Sequence, residues 1–136
     1  MEVMETGHVS QLFAGLENEM QTPKILICPS DPKRKTAERW GPRFSDHNIS
    51  YFVGLDATTN QPLSILAGDR NIIGGFQTNY SVVSFKADSP VEWTKEIHKY
   101  RGNIAFVDGS VQFTTNETLR QAFQGMSNAT YRLAIP

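Results

Sequence analysis

The chain has 136 residues, 39% of them hydrophobic, with 13 basic and 14 acidic side chains and a formal charge of -1. A chain of this size builds one domain around one modest core, and its balanced charge leaves no electrostatic footprint for nucleic acid or an anionic membrane surface. No stretch approaches the roughly 18 consecutive apolar residues of a membrane span, and the single cysteine, Cys28, excludes an internal disulfide.

In chain order, Val9, Leu12, Phe13, Leu16 and Met20 recur at spacings of three and four, which predicts one amphipathic helix ended by Thr22-Pro23. Gly7 and Gly15 each weaken that helix by about 1 kcal/mol. Cys28 closes the apolar run Ile25-Leu-Ile-Cys28 and reads as a small buried hydrophobe. Pro29-Ser-Asp-Pro32 is a turn, because Pro fixes φ and Asp bonds to backbone amides beyond it. Lys33 to Trp40 reads as a short basic turn of helix or a loop, with Lys33, Arg34 and Lys35 forming a solvated face. Ile49, Tyr51 and Val53 mark a strand, and Leu63 to Ala67 and Tyr80 to Phe85 mark two more. The glycines of Gly68-Asp-Arg-Asn-Ile-Ile-Gly-Gly75 suit a tight connection between them.

After Pro90, residues 93–99 read as a brief helix, and two strands, Asn103 to Val107 and Ser110 to Thr114, follow as a hairpin. Asp108-Gly109 supplies the positive φ angles of a two-residue turn. Thr114-Thr-Asn-Glu117 has the form of a capping box opening a helix through Leu119, Ala122 and Phe123 to Gly125. The tail Tyr131 to Ile135 fits an edge strand or an extended arm.

Catalysis finds little support. There is no GxSxG elbow, and Ser110 follows Asp-Gly in a turn. His8, His47 and His98 lie in unrelated contexts without HExxH, and the glycine-rich segment lacks the pattern of a phosphate loop. One thiol and three scattered histidines do not spell a structural zinc site. The residues therefore nominate no catalytic, cofactor or metal site, and the chain reads as a non-enzyme.

The stretch His98-Lys-Tyr-Arg-Gly-Asn-Ile-Ala-Phe-Val-Asp-Gly-Ser-Val-Gln-Phe113 places nine residues between His98 and Asp108-Gly109. This spacing resembles the His-x9-Asp-Gly (H-X9-DG) signature of bacterial prepilin-like proteins associated with type II secretion, the pseudopilins and their close relatives. Lys24-Ile-Leu-Ile-Cys-Pro-Ser-Asp-Pro32, Asn48-Ile-Ser-Tyr-Phe-Val-Gly-Leu-Asp56 and Ile65-Leu-Ala-Gly-Asp-Arg-Asn71 resemble the same group in the same order, especially its verrucomicrobial and planctomycete versions. The likeness covers most of residues 24–114. The group's basic leader, cleavage-site Gly and long apolar helix have no match in this sequence.

The resemblance implies an α+β, pilin-like fold: an N-terminal helix packed on a small antiparallel sheet, with a C-terminal helix or arm over an edge. Residues 1–24 would be the distal part of the spine helix and 25–136 the globular head. The implied function is structural, a subunit of a type II secretion pseudopilus or related type IV pilin-like assembly at the periplasmic face of the inner membrane. Its partners would be other pseudopilin subunits, the secretion machinery and a prepilin peptidase acting on a leader; the native protein would be membrane-anchored and this stretch its soluble head. His98, Asp108 and Gly109 would be structural motif residues. Because Asn103 to Val107 extends over ~15 Å, His98 is expected to fasten a backbone group or neighbouring strand rather than to meet Asp108.

Many members of the group carry a cysteine in this Cys-Pro-Ser-Asp motif, where another cysteine upstream could pair with it; this sequence lacks that partner. No cofactor is expected. Major pseudopilins bind calcium in a head loop, which makes calcium the sharper alternative, at the oxygen-rich stretches Asp56 to Asn60 and Asp69 to Asn71; neither has the Asp-x-Asp-x-Asp-Gly pattern. The rival reading is a periplasmic or surface module that binds carbohydrate or protein through Trp40, Trp93 and Tyr51.

Overall fold

Alternation of apolar residues, rather than helical spacing, dominates the chain from Ile49 onward, and extended structure follows from it. The computed structural model describes residues 8–79, 81–126 and 128–136, with Asn79 described by its backbone alone. The strands are β1 (Tyr51–Gly54), β2 (Ile65–Asp69), β3 (Ile72–Gly74), β4 (Phe76–Asn79), β5 (Val82–Lys86), β6 (Val91–Trp93), β7 (Gly102–Phe106), β8 (Val111–Thr114) and β9 (Thr130–Ala134). Helical segments are α1 (Val9–Ala14), α2 (Glu17–Met20) and α3 (Asn116–Gln124), besides two short 3-10 turns. Seven strands form one antiparallel sheet in the order β4-β5-β9-β1-β2-β7-β8, and β3 and β6 form a separate two-stranded ribbon.

This architecture overturns the expected α+β fold of an N-terminal helix packed on a small sheet. The chain is mostly β, and the longest helix among the described residues is the nine-residue α3. The stripe that suggested a spine helix is broken at Gly15-Leu16 into pieces of six and four residues, and Gln21, at φ 63°, stops the second. Leu16 turns outward, 43% exposed. Val9 still packs with Leu26, Ile49, Leu55, Val82 and Ala134, assisted by Leu12, Phe13 and Met20, so the segment covers one side of the sheet as short turns. No helix of the described residues is long and apolar enough to cross a membrane.

The other face carries the larger core: Phe52, Ile65, Phe85, Ile104, Phe106, Tyr131 and Leu133 from the sheet, Ile72, Val91 and Trp93 from the ribbon, and Leu119 and Phe123 from α3. Trp93 is fully buried, its indole N–H donates to Thr114 Oγ1 at 2.9 Å, and its ring lies so close to Gly102 that a Cβ there would sit 2.6 Å away. The Tyr131 hydroxyl donates to the Ile65 carbonyl at 2.7 Å, and burial pushes its pKa up to about 12.

Several local expectations shift. The tail is an interior strand of the sheet rather than an edge or arm: β9 pairs with β5 from Thr130 to Ala134 and with β1 at Leu133 and Ala134. Of the expected helix over residues 93–99, Trp93 ends β6 and residues 95–99 form turns, and residues 68–75 run through the end of β2 into β3 instead of closing a tight connection. The start of the expected strand at Tyr80, like Gly7, lies outside the described residues; the strand itself runs over β5. The capping box stands one residue later, with Thr115 and Thr118 exchanging side-chain and backbone bonds.

The β7–β8 hairpin is present, but only Gly109 takes a positive φ, 89°. Its N–H donates to the Phe106 carbonyl and Phe106 N–H donates to the Ser110 carbonyl, the pattern of a β-turn followed by a left-handed glycine bulge. Nothing lies within 4 Å of a Cβ built on Gly109, so a substitution meets backbone strain alone. Gly109→Val is expected to cost about 1–2 kcal/mol and Gly109→Asn less than about 1, measured by urea unfolding.

Asp56 and Arg132 tie the end of β1 to β9. Arg132 donates to the Asp56 carboxylate from its backbone N–H at 2.7 Å, Nε at 3.1 Å and Nη2 at 2.6 Å. Burial alone would raise the Asp56 pKa, but these bonds outweigh it and hold the group below the ordinary aspartate value. Stability from this pair is full above the unfolded-state pKa of about 3.9 and is lost as pH falls through the lower folded value. The thermal midpoint, followed by circular dichroism, should be flat from about pH 7 to 5 and fall below about pH 4; Asp56→Asn should lower the midpoint at pH 7 and make the acid fall shallower.

Candidate functional site

Three consecutive residues at the end of β2 gather the motif segments, each through a different chemistry. Asp69 is 1% exposed, and its Oδ2 accepts from Asn103 N–H at 2.6 Å and Asn103 Nδ2 at 3.2 Å, which binds it to β7. Arg70 sends Nε to Asp31 Oδ2 at 2.6 Å and Nη2 to Asp31 Oδ1, while Nη1 and Nη2 reach the Glu96 carboxylate at 3.2 and 3.0 Å. Asn71 donates Nδ2 to the carbonyls of Thr94, Ile97 and Arg101 at 2.9, 2.8 and 3.3 Å.

Asp31 reaches Arg70 because the Cys28 to Asp31 turn closes with Asp31 N–H on the Cys28 carbonyl, and its carboxylate also accepts from Lys33 N–H, as the Pro29 to Pro32 segment led one to expect. Burial alone would raise the Asp31 pKa, yet the Arg70 and Lys33 bonds hold it below the usual carboxylate range. Hydrogen bonds from Arg70 lower Glu96 against the opposing effect of burial, with Lys33 Nζ adding an ion pair at 3.1 Å. The paired carboxylates in turn keep Arg70 charged despite its burial, its pKa raised.

The Asn71 clamp holds a loop with unusual backbone. His98, Lys99 and Tyr100 have φ values of 53°, 51° and 65°, three successive non-glycine residues in the left-handed region. Such residues cost about 1–3 kcal/mol each and persist only where the surroundings fix them; here Tyr100 N–H bonds the Thr94 carbonyl and Thr94 N–H the Asn71 carbonyl. The loop delivers the His98 ring to the motif cysteine and aspartate. His98 Nε2 is 3.5 Å from Cys28 Sγ and 3.5 Å from Asp69 Oδ2, and its ring stands edge-on to Phe113. Tyr51, opposite Asp69 in the β1–β2 register, has its hydroxyl pKa raised chiefly by burial, with Cys28, Asp69 and Asp31 contributing. Solvent reaches His98 by an open cleft of about 690 Å³ whose lining includes Ser30, Lys95, Lys99 and Arg101.

Of the motif residues, His98 belongs to this cluster and Asp108 and Gly109 do not. Gly102 pairs with Thr114 at the open end of the hairpin, so the intervening strand carries Asp108 ~13–16 Å away. Asp108 is exposed at the tip and accepts from Ser110 N–H at 2.8 Å and Ser110 Oγ at 2.6 Å, which lower its pKa. His98 does not reach Asp108; its ring nitrogen stands 3.5 Å from the side chains of Cys28 and of Asp69 on β2. Of the calcium stretches, Asp56 is held by Arg132 and Asp69 by Asn103. Trp93, offered as a binding aromatic, is core; Trp40 is half-buried, packs edge-on to Phe44 and lines a second open cleft with Arg39 and Arg43.

Sequence reasoning missed that Cys28 and Asp69 join His98, and that Arg70 pairs with Asp31. A signal was present: Asp31 and Arg70 are opposite charges set beside apolar runs, the pattern of a buried pair. No family model, curated protein or solved structure matches this chain.

Arg70→Met should destabilise by about 3–5 kcal/mol, because it leaves Asp31 as an uncompensated buried charge. Asn71→Ala removes one donor group from three carbonyls and should cost about 1–3 kcal/mol. Hydrogen exchange on Asn71→Ala should show faster exchange at Tyr100 and its neighbours while β1 and β9 stay protected; uniform loss of protection would contradict a local clamp.

Proposed function

We propose that this chain is a non-enzymatic structural subunit of a type II secretion pseudopilus or a related type IV pilin-like assembly. The observation that supports this reading is that the segments resembling that group converge on one tie. Cys28 to Asp31, Asp69 to Asn71 and His98 direct most of their polar groups to one another and to neighbouring backbone. A motif spent in this way preserves the shape of a head whose surface meets other subunits. On this reading the head lies at the periplasmic face of the inner membrane, carried by an apolar helix of the native protein, and a prepilin peptidase trims the leader.

The test is made on the full-length gene in its host, with a tag on the C-terminal side. The tagged protein is expected in the membrane fraction, cross-linked to other pilin-like subunits, and to gain the mass of an uncleaved leader when the prepilin peptidase is deleted. A freely soluble protein whose mass is indifferent to the peptidase would overturn the reading and leave the binding module, for which the cleft beside Trp40 is the available surface.

A further inference from the structure

The Cys28–Asp69–His98 cluster brings three side chains of metal-ligating chemistry together at the end of β2. A single ring nitrogen, His98 Nε2, faces both the sulfur and a carboxylate oxygen at 3.5 Å. That nitrogen carries one proton or one lone pair, so it serves one partner at a time; 3.5 Å is an ordinary contact to sulfur but exceeds the usual N–H···O range of about 2.7–3.2 Å to Asp69. All three donor atoms lie within 4.8 Å of one another.

A metal ion placed among them would satisfy all three at once. With Zn–S of about 2.3 Å and Zn–N or Zn–O of about 2.0–2.1 Å, tetrahedral coordination separates its ligand atoms by ~3.3–3.5 Å, close to the 3.5 Å seen on both sides of His98 Nε2. Charge points the same way. Cys28 and Asp69 are 6% and 1% exposed, and a thiolate and a carboxylate together neutralise a dication. Sulfur and imidazole donors suit zinc or a similar transition ion and disfavour calcium and magnesium, which take oxygen. The ligands are fixed in place: Asn103 donates twice to Asp69 Oδ2, the oxygen that also faces His98, and Asn71 clamps the loop that carries His98, as supporting groups in metal sites do.

We propose that Cys28, Asp69 and His98 bind one zinc ion, with solvent from the cleft at His98 completing the coordination. The site ties three segments distant in sequence, and it stands or falls independently of the secretion reading.

The test uses the untagged 136-residue chain, reduced and stripped with chelator, titrated with Co2+. Cys28 is the chain's sole thiol, so a thiolate-to-cobalt charge-transfer band reports this site alone. The band is expected to saturate at one equivalent and to be bleached by one equivalent of Zn2+. It should vanish in Cys28→Ser. In His98→Ala and Asp69→Asn cobalt affinity should fall about 100-fold or more, while His47→Ala leaves it unchanged. Zinc should raise the thermal midpoint of the wild type and not that of Cys28→Ser. A folded wild-type chain that gives no charge-transfer band in excess cobalt would overturn the proposal, as would a band of undiminished affinity in folded His98→Ala. If a ligand variant fails to fold, the wild-type titration still decides.

Discussion

The guanidinium of Arg70 is the constraint around which one end of the molecule is arranged. It is nearly inaccessible to water, so its charge has to be met by protein, and the two carboxylates that meet it come from different places: Asp31 from the turn after Cys28, Glu96 from the loop before His98. A buried ion pair is a poor source of net stability, since desolvation offsets most of the attraction. Its effect is to reject alternatives. Any packing of the 28–33 turn or the 94–101 loop that leaves Arg70 unpaired is far more costly than the one seen, so the pair selects a docking geometry. Asp69 and Asn71 then refine that geometry through hydrogen bonds, one toward β7 and one toward the loop.

The two sides of the sheet rest on different physics. One is a continuous aromatic and aliphatic core under α3 and the β3–β6 ribbon, where Trp93, Phe52, Phe85 and Tyr131 are buried whole. The other is a smaller cluster in which short N-terminal turns and the loop of Trp40 and Phe44 meet the strands, tied on by Ser10 N–H to Asp46 at 2.8 Å. The Cys28, Asp69 and His98 cluster sits beside the ion pair at the end of β2, where the hydrogen-bonded framework rather than the apolar core fixes side-chain positions.

What the sequence made legible was local. The Pro29 to Pro32 turn with Asp31 bonding forward, the hairpin at Gly109 and the helix ending at Gly125 each depend on a few adjacent residues, and each forms within a residue or so of expectation. The N-terminal helix misled because hydrophobic spacing records which residues are buried, not whether the backbone between them is continuous; it leaves the helical region at Leu16, with φ -102° and ψ 16°. The tail was read as peripheral because nothing in Tyr131 to Ile135 reveals that its partners are residues 82–86 and 53–54. Trp93 looked like a binding aromatic for the same reason: a Trp buried on a glycine cannot be told from an exposed one by its letter alone. The cluster was hidden more deeply. Its three members are brought together by the Arg70–Asp31 pair that docks the turn after Cys28 on the end of β2, and by a loop in left-handed backbone that non-glycine residues rarely adopt.

The interior place of β9 sets an order of events during synthesis. Before it appears, the sheet exists only as two separate pieces, β4-β5 and β1-β2-β7-β8, each with an open edge at β5 or β1. Such edges offer unpaired amides and carbonyls to any neighbouring chain, and closing them requires contacts between residues far apart in sequence, which form slowly. The strand that seals both edges is the last of the described elements to leave the ribosome. Until β9 arrives, a nascent chain lacks the strand that joins the two parts of this sheet, and the edges of β5 and β1 stay open to wrong pairing.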